Sequence, residues 1–170
     1  MSGLRFVVAL LVAVLAHSLG VRLWSDFAVY VDLFLILTVA WAFEATTLTG
    51  LAVGLLAGLT ADTLAGGVYG LNGFANTLIG YLTAFSVAHL TKMGASGAVL
   101  LYALASVAQQ VVLVALLVLL IPNGAPPSLT AMIGKIVITA LAGLLIFRGR
   151  RKLFRVLGQW RQARESRLRF

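Results

Sequence analysis

Long apolar stretches separated by short breaks organise the chain up to about residue 147. Within each stretch the apolar residues are continuous rather than alternating, which favours helices over strands. Each stretch is about 17–25 residues long, as a helix needs to cross ~30 Å of hydrocarbon. We therefore predict an all-α, polytopic membrane protein with six transmembrane helices. The predicted helices are Leu4–Leu23, Phe27–Phe43, Ala45–Ala65, Leu71–Leu90, Ala98–Ile121 and Leu129–Phe147.

The composition agrees with this class. Hydrophobic residues make up 61% of the 170 residues, and the mean hydropathy is +1.05. Only 11% of the residues are charged, compared with roughly 25% in soluble domains. The sequence contains no cysteine, which excludes disulfides, thiolate catalysis and cysteine-ligated metal sites.

The net charge of +8 is concentrated at the C-terminus. Nine of the thirteen Lys and Arg residues follow Phe147, and Glu165 is the only acidic residue there. Apolar residues recur at helical spacing in the same stretch. We therefore predict a transmembrane domain of residues 1–147 and a cytoplasmic, basic amphipathic helix of residues 148–170. The residues expected to contact lipid or a cytoplasmic protein are Arg151, Lys152, Arg155, Trp160, Arg161 and Arg164.

Two interpretations of this tail remain open, a nonspecific anchor on anionic lipids and a docking site for a cytoplasmic protein. Nucleic acid is not an expected partner. Basic residues that flank membrane helices stay in the cytoplasm, so the C-terminus is expected on that side. Six spans return the N-terminus to the same side. Ala16-His17-Ser18 is a poor signal-peptide cleavage site, so we expect the first helix to be retained.

Small residues recur every four positions in the third segment and lie along one helix face. They are Gly50, Gly54, Gly58 and Gly66, with Asp62 in the same series. Such a ridge lets another helix approach closely in lipid. The neighbour is either another span of this chain or the membrane helix of a partner protein. Asn76, Gly80 and Ala84 form a second, weaker ridge on the fourth segment, which could face the first ridge.

A set of polar residues is predicted at one depth, near the outer ends of five spans. Its members are His17, Asp32, Asp62, Asn72, Asn76 and Lys135. Carboxylates at that depth need a partner, a cavity or a proton. Three interpretations remain open: a joined structural network, a cavity for a small molecule or ion, and separate interfacial residues. Gln109 and Gln110 are expected to lie alone near the middle of the membrane.

Catalysis has little support in the sequence. The two histidines are predicted at opposite membrane faces, so they cannot share a metal ion. None of the short motifs of metalloproteases, serine hydrolases, P-loop proteins or thiol oxidoreductases occurs. An intramembrane acid pair of Asp32 and Asp62 is the one enzymatic alternative. We expect no enzyme activity, no cofactor and no metal ion.

The order of these features resembles a known family. V-D-L-F-L-I-L is followed by W-A-F-E and a turn, and then by G-L-A-V-G-L-L-A-G-L-T-A-D-T-L-A-G-G-V-Y-G-L-N-G. Residues 31–82 thereby resemble the rod shape-determining protein MreD family of bacterial inner membranes. The matching positions are Asp32, then Gly58, Leu59 and Asp62, and then Gly70, Leu71 and Asn72.

The resemblance implies a non-enzymatic scaffold of the cell-elongation and peptidoglycan-synthesis complex. Its implied partner is MreC, a single-span protein with a periplasmic domain, whose membrane helix would dock on the scaffold. Contacts with the actin-like MreB, the glycosyltransferase RodA and the transpeptidase partner of RodA are also implied. The family's fold is similar to the substrate-binding components of energy-coupling-factor transporters. The alternative function is therefore a substrate-binding subunit of a small-molecule transporter.

Overall fold

The computed structural model of the protein describes residues 2–66, 68–89, 94–120 and 127–167, with side chains except at residues 2, 147 and 150–167. These residues form seven helices and no strand, so the all-α prediction is confirmed. The helices are α1 (Ser2–Leu23), α2 (Phe27–Tyr30), α3 (Leu33–Ala42), α4 (Thr47–Ala65), α5 (Leu71–His89), α6 (Ala95–Leu120) and α7 (Leu129–Arg167).

Four of the described helices are long and apolar enough to cross a membrane. They cover Gly3–Leu23, Thr47–Ala65, Ala95–Leu120 and Leu129–Ile146. The segment Phe27–Ala42 is apolar but shorter, and the 19-residue helix α5 includes polar residues such as Asn72 and Asn76. The chain therefore has the helices of a membrane protein, although two of the six predicted segments lack the length or the uniform hydropathy of the others.

The second apolar segment is broken in its middle. The sequence predicts one helix over Phe27–Phe43, and this prediction is wrong. α2 ends at Tyr30, Val31 is extended (φ −117°, ψ 116°), and α3 begins after Asp32. The Asp32 carboxylate accepts a hydrogen bond from the backbone N–H of Leu35 at 2.9 Å and thereby caps α3. A capping carboxylate favours non-helical backbone at its own position, which explains how one polar residue divides the run.

The short helix α3 occupies the centre of the bundle. It packs against α1, α4, α5, α6 and α7. Its Leu35 and Val39 are fully buried and join Ile79 of α5 and Tyr102 of α6 in the main hydrophobic cluster. The N-terminus of α3, together with Asp32, therefore lies inside the protein, where side chains of several helices converge.

Glycine conformation shapes the turn between α4 and α5. Gly66 ends α4 in the left-handed region (φ 63°), and Gly70 precedes α5 with φ 97°, a conformation that glycine adopts without steric cost. A Cβ atom at Gly66 would meet nothing within 4 Å. The prediction that Gly66 belongs to the packing ridge is wrong, because Gly66 caps the helix instead.

Two glycines of α7 that the sequence did not single out make close packing possible. Gly143 lies under the ring of Tyr102 from α6, and Gly134 lies under the ring of Tyr30 from α2. A Cβ atom at either glycine would overlap the aromatic ring. These contacts bring α7 close to both neighbours.

α7 continues past Phe147 to Arg167 without a break, so the backbone of residues 148–167 is helical. Residues 168–170 lie outside the described residues. The predicted contact residues of the tail lie where the structure describes the backbone but not the side chains. These residues are Arg151, Lys152, Arg155, Trp160, Arg161 and Arg164, and their contacts stay predictions.

Candidate functional site

An ion pair lies inside the bundle. Nζ of Lys135 on α7 is 2.9 Å from Oδ2 of Asp32, the residue that caps α3. The two side chains are only 16% and 9% exposed, respectively. A buried charge is tolerated when it is paired and strongly destabilising when it is not. The pair therefore ties α7 to the N-terminus of α3.

The Asp32 carboxylate is stabilised from several directions. Oδ1 accepts the Leu35 N–H, and Oδ2 accepts the side-chain amide of Gln109 at 2.9 Å as well as the Lys135 ammonium. The carboxylate also lies at the N-terminus of α3, where the helix dipole favours negative charge. The Lys135 ammonium, the Gln109 amide and the N-terminus of α3 thus stabilise the negative charge of Asp32 together.

Gln109 connects this ion pair to α5. Its Nε2 donates to Oδ2 of Asp32 at 2.9 Å and to Oδ1 of Asn76 at 3.0 Å, and the Gln109 and Asn76 side chains are fully buried. Gln110 donates to the backbone carbonyl of Met132 at 3.2 Å. The prediction that these two glutamines lie alone is therefore wrong.

The spacing of residues along α6 could have shown that Gln109 lies on a buried face of the helix. Tyr102, Ser106 and Gln109 follow at intervals of four and three residues, and all three are buried, as expected for one side of a helix. Depth counted along a helix does not reveal this face. The predicted depth of the Asp32 carboxylate is counted along one continuous second helix. Because the helix is broken at Asp32, that count does not give its position.

Asp62 forms a second polar cluster, at the start of α5. Its carboxylate accepts four hydrogen bonds: the backbone N–H groups of Gly70, Asn72 and Gly73 at 2.9, 3.0 and 2.9 Å, and Asn72 Nδ2 at 2.9 Å. The first N–H groups of a helix have no partner within that helix. Asp62 of α4 supplies the missing acceptors and is itself only 2% exposed.

The two clusters are neighbours along α5. Asn72 bonds to Asp62, and Asn76, one helical turn later, bonds to Gln109. The structure thus divides the predicted polar set into two adjacent groups. Each carboxylate has its own donors, and no hydrogen bond joins Asp32 to Asp62 in the described part of the chain.

His17 belongs to neither group. Its ring lies 5.4 Å from the ring of Phe34 and 6.1 Å from that of Phe27, measured between centroids. Its Nδ1 is buried, with no hydrogen-bond partner among the described residues. The structure therefore places His17 in an aromatic contact between α1 and the broken α2–α3 segment.

The glycine ridge of α4 lies against the polar part of α5. A Cβ atom at Gly54 would overlap the carbonyl oxygen of Asn76, and one at Gly58 would overlap that of Asn72. Gly54 and Gly58 therefore let the backbone of α5 come close to α4 at Asn76 and Asn72, which belong to the polar clusters.

Gly50 and Gly80 complete this contact. A Cβ atom at either glycine would meet the carbonyl oxygen of the other. The second ridge therefore faces the glycine ridge of α4, as the sequence suggested. Because α5 covers the ridge, Gly50, Gly54, Gly58 and Gly80 are not open to the membrane helix of a partner.

A cavity of about 330 Å³ lies beside the ion pair, at the end of the bundle where α2, α5 and α7 begin and α6 ends. We call this the cavity end. Its apolar lining residues are Ala28, Val29, Leu71, Leu113, Val114, Leu117, Pro127, Ala131 and Met132, and its polar ones are Asn72, Gln110 and Lys135. The volume is within the range of small-molecule sites, about 300–1,000 Å³.

The described residues offer few groups for metal binding or catalysis. No cluster of three or more His, Cys, Asp or Glu residues that could hold a metal ion occurs within the described ranges. Comparisons with protein-family models, curated proteins and solved structures find no match to this chain. The function must therefore be argued from the polar clusters, the cavity and the helix surfaces.

Proposed function

We propose that the protein is a non-enzymatic membrane scaffold of the MreD type, which holds other proteins of a bacterial cell-elongation complex together. One observation supports this proposal most directly. Asp32, Lys135 and Asp62 all bond to neighbouring elements of the same chain. The groups that an intramembrane acid–base enzyme would need are engaged in holding helices together.

In this proposal the chain crosses the membrane six times, with α2 and α3 as one crossing and α5 as another. Irregular backbone is tolerated at membrane depth only where protein covers it. The break at residues 31–32 meets this condition, since five helices surround α3. α5 directs Asn76 and Thr83 inward, where both are buried, so these two polar side chains avoid lipid.

Charge sets the proposed orientation in the bacterial inner membrane. The basic stretch of residues 148–170 stays in the cytoplasm, where it binds anionic lipids. With six crossings, the N-terminus is cytoplasmic too. The cavity end and the turn between α4 and α5 then face the periplasm.

The partner helix needs a surface other than the glycine ridge. α1 has the smallest buried share, 11%, among the four apolar helices long enough to cross a membrane. It packs against α2 and α3 on one side. Its exposed large apolar residues are Leu4, Val7, Val8, Leu11, Val12, Leu15, Leu19, Val21 and Leu23. We place the membrane helix of MreC on this face, and contacts with MreB, RodA and its transpeptidase would follow from that assembly.

Single-cysteine cross-linking tests this proposal, since the chain contains no cysteine of its own. Leu11→Cys on α1 is compared with Leu141→Cys on α7, which is similarly exposed (58% and 56%). Each variant is expressed with MreC that carries a cysteine in its membrane helix, and membranes are oxidised. We expect a disulfide with Leu11→Cys alone. A disulfide with Leu141→Cys alone would move the docking face to α7, and failure of MreC to co-purify with any variant would contradict the scaffold.

The cavity favours a second candidate, a substrate-binding subunit of a small-molecule transporter. Its volume and its mostly apolar wall with a few polar groups are typical of ligand sites. Such a subunit would require energy-coupling proteins as partners. Co-purification with an ATPase pair, and not with MreC, would favour this candidate.

A further inference from the structure

The wall of the cavity combines two kinds of surface. Leu113, Val114 and Leu117 follow along α6 and face the opening, with Val29 of α2 among the other apolar lining residues. Lys135 also lines the cavity. A molecule that fills this space would therefore meet an apolar wall along most of its length and an ammonium group at one point.

The Lys135 ammonium has capacity for another partner. A lysine ammonium carries three N–H donors, and Asp32 is its one partner in the part of the chain that the structure describes. Asp32 in turn is bonded to Gln109 and to the Leu35 N–H. Two donors of Lys135 thus remain available on a side chain that already lines the cavity.

The charged lining of the cavity is positive. Lys135 lines the cavity, and no acidic side chain does so among the described residues. A ligand group with negative charge is favoured beside Lys135, and a cationic group is disfavoured.

We propose that this cavity binds an amphipathic molecule through an anionic end group, a carboxylate or a phosphate, which accepts hydrogen bonds from Lys135 while an apolar chain lies along α6. Gln110 also lines the cavity, where its Nε2 donates to the carbonyl of Met132. The proposal does not depend on the scaffold role, because it concerns this cavity alone.

The size of the cavity limits what it holds. A volume of about 330 Å³ equals about eleven water molecules at ~30 Å³ each. That is enough for an end group and a short apolar segment but not for a whole phospholipid. The same chemistry thus fits a small amphipathic acid inside the cavity, or a lipid that inserts its head group while its chains remain outside.

Thermal unfolding of the protein in a neutral maltoside detergent at pH 8 tests the proposal. The probes are octanoate, octanol and octylamine, which share one chain and differ in the end group. A ligand that binds only the folded state raises the unfolding temperature in a saturable manner. We expect octanoate to raise it by several degrees and the other two probes to have no saturable effect. Equal shifts with octanoate and octanol would overturn the proposal.

Two variants of α6 test whether octanoate raises the unfolding temperature by binding in this cavity. Val114→Phe places a ring in the cavity and leaves both residues of the ion pair unsubstituted, whereas Val111→Phe places the same ring on an exposed position (60%) of the same helix. The octanoate shift should disappear in Val114→Phe and persist in Val111→Phe. A shift that persists in both variants, or is lost in both, would contradict binding in this cavity.

The charge is tested with the double variant Asp32→Asn, Lys135→Gln, which removes both charges and leaves no unpaired one. It should lose the octanoate shift, and retention of the shift would contradict a role for Lys135.

Addition of phosphatidylglycerol to the wild-type protein then shows whether the anionic end group belongs to a lipid or to a free acid. Stabilisation by this lipid that Val114→Phe abolishes identifies a lipid head group, and stabilisation by octanoate alone identifies a free acid. No stabilisation by either would overturn the proposal.

Discussion

The side-chain amide of Gln109 donates a hydrogen bond to the carboxylate of Asp32 at 2.9 Å, across 77 residues of sequence. This bond joins the middle of α6 to the N-terminus of α3. The same amide nitrogen also reaches α5 at Asn76, and the Asp32–Lys135 pair adds α7. Four helices therefore meet at this polar cluster.

The first prediction concerns the buried ion pair. Lys135→Met should lower the free energy of unfolding by about 3–5 kcal/mol, because it leaves the Asp32 carboxylate buried without its cation. The double variant Asp32→Asn, Lys135→Met should be more stable than the single variant. Thermal unfolding of the purified proteins measures both. A double variant less stable than Lys135→Met would show that the unpaired charge is not the cause.

The second prediction compares two adjacent glutamines. Gln109→Leu removes two buried hydrogen bonds and leaves acceptors on α3 and α5 without that donor. It should cost about 1–3 kcal/mol of unfolding free energy. Gln110→Leu removes one longer bond, 3.2 Å, to a backbone carbonyl, and should cost less. Equal losses in thermal unfolding would argue against the bridging role of Gln109.

The third prediction concerns the cap of α5. Asp62→Ala removes the acceptor of four hydrogen bonds and leaves three N–H groups at the start of α5 without it. Hydrogen bonds to charged groups contribute about 1.5–3 kcal/mol each, so a loss of several degrees in unfolding temperature is expected. Asp26→Ala is the matched control, because Asp26 precedes α2 without a side-chain capping bond. Equal effects of the two substitutions would contradict the capping role.

The fourth prediction concerns the glycine ridge. Gly54→Ala forces a methyl group into the carbonyl of Asn76, and overpacking of this kind costs about 1–3 kcal/mol. Gly3→Ala places the same methyl group where nothing lies within 4 Å, and should be neutral or stabilising, since alanine favours helix by up to ~1 kcal/mol. Thermal unfolding distinguishes the two. A harmless Gly54→Ala would contradict the close packing of α4 on α5.

The sequence predicted those features that depend on spacing within one helix. The four-residue period of the α4 glycines implied a close neighbour, and the position of Asp62 among them implied a carboxylate directed toward that neighbour. The identity of the neighbour could not be read from α4 alone. It required the complementary ridge of Asn76 and Gly80 on α5, which the sequence suggested could face the ridge of α4, and the structure confirms this contact.

Other features depend on tertiary contacts and were missed. Asp32 lies in a run whose hydropathy predicts continuous helix, and its partners Lys135 and Gln109 come from other helices. The cavity could not be predicted either, because its wall is formed by residues of four helices, α2, α5, α6 and α7. Hydropathy measures how apolar a segment is, but it does not report which face of a helix meets which neighbour.

The central claim is that this bundle crosses the membrane six times with both ends in the cytoplasm and the cavity end outside. Labelling of single-cysteine variants of intact cells with an impermeant maleimide tests it most directly. The positions are Gly3, Tyr69 and Gly149, which lie near the start of α1, in the turn before α5 and beyond the apolar part of α7. The account predicts labelling of Tyr69→Cys in intact cells, and labelling of Gly3→Cys and Gly149→Cys only after lysis. Labelling of Gly3→Cys or Gly149→Cys from outside would contradict it.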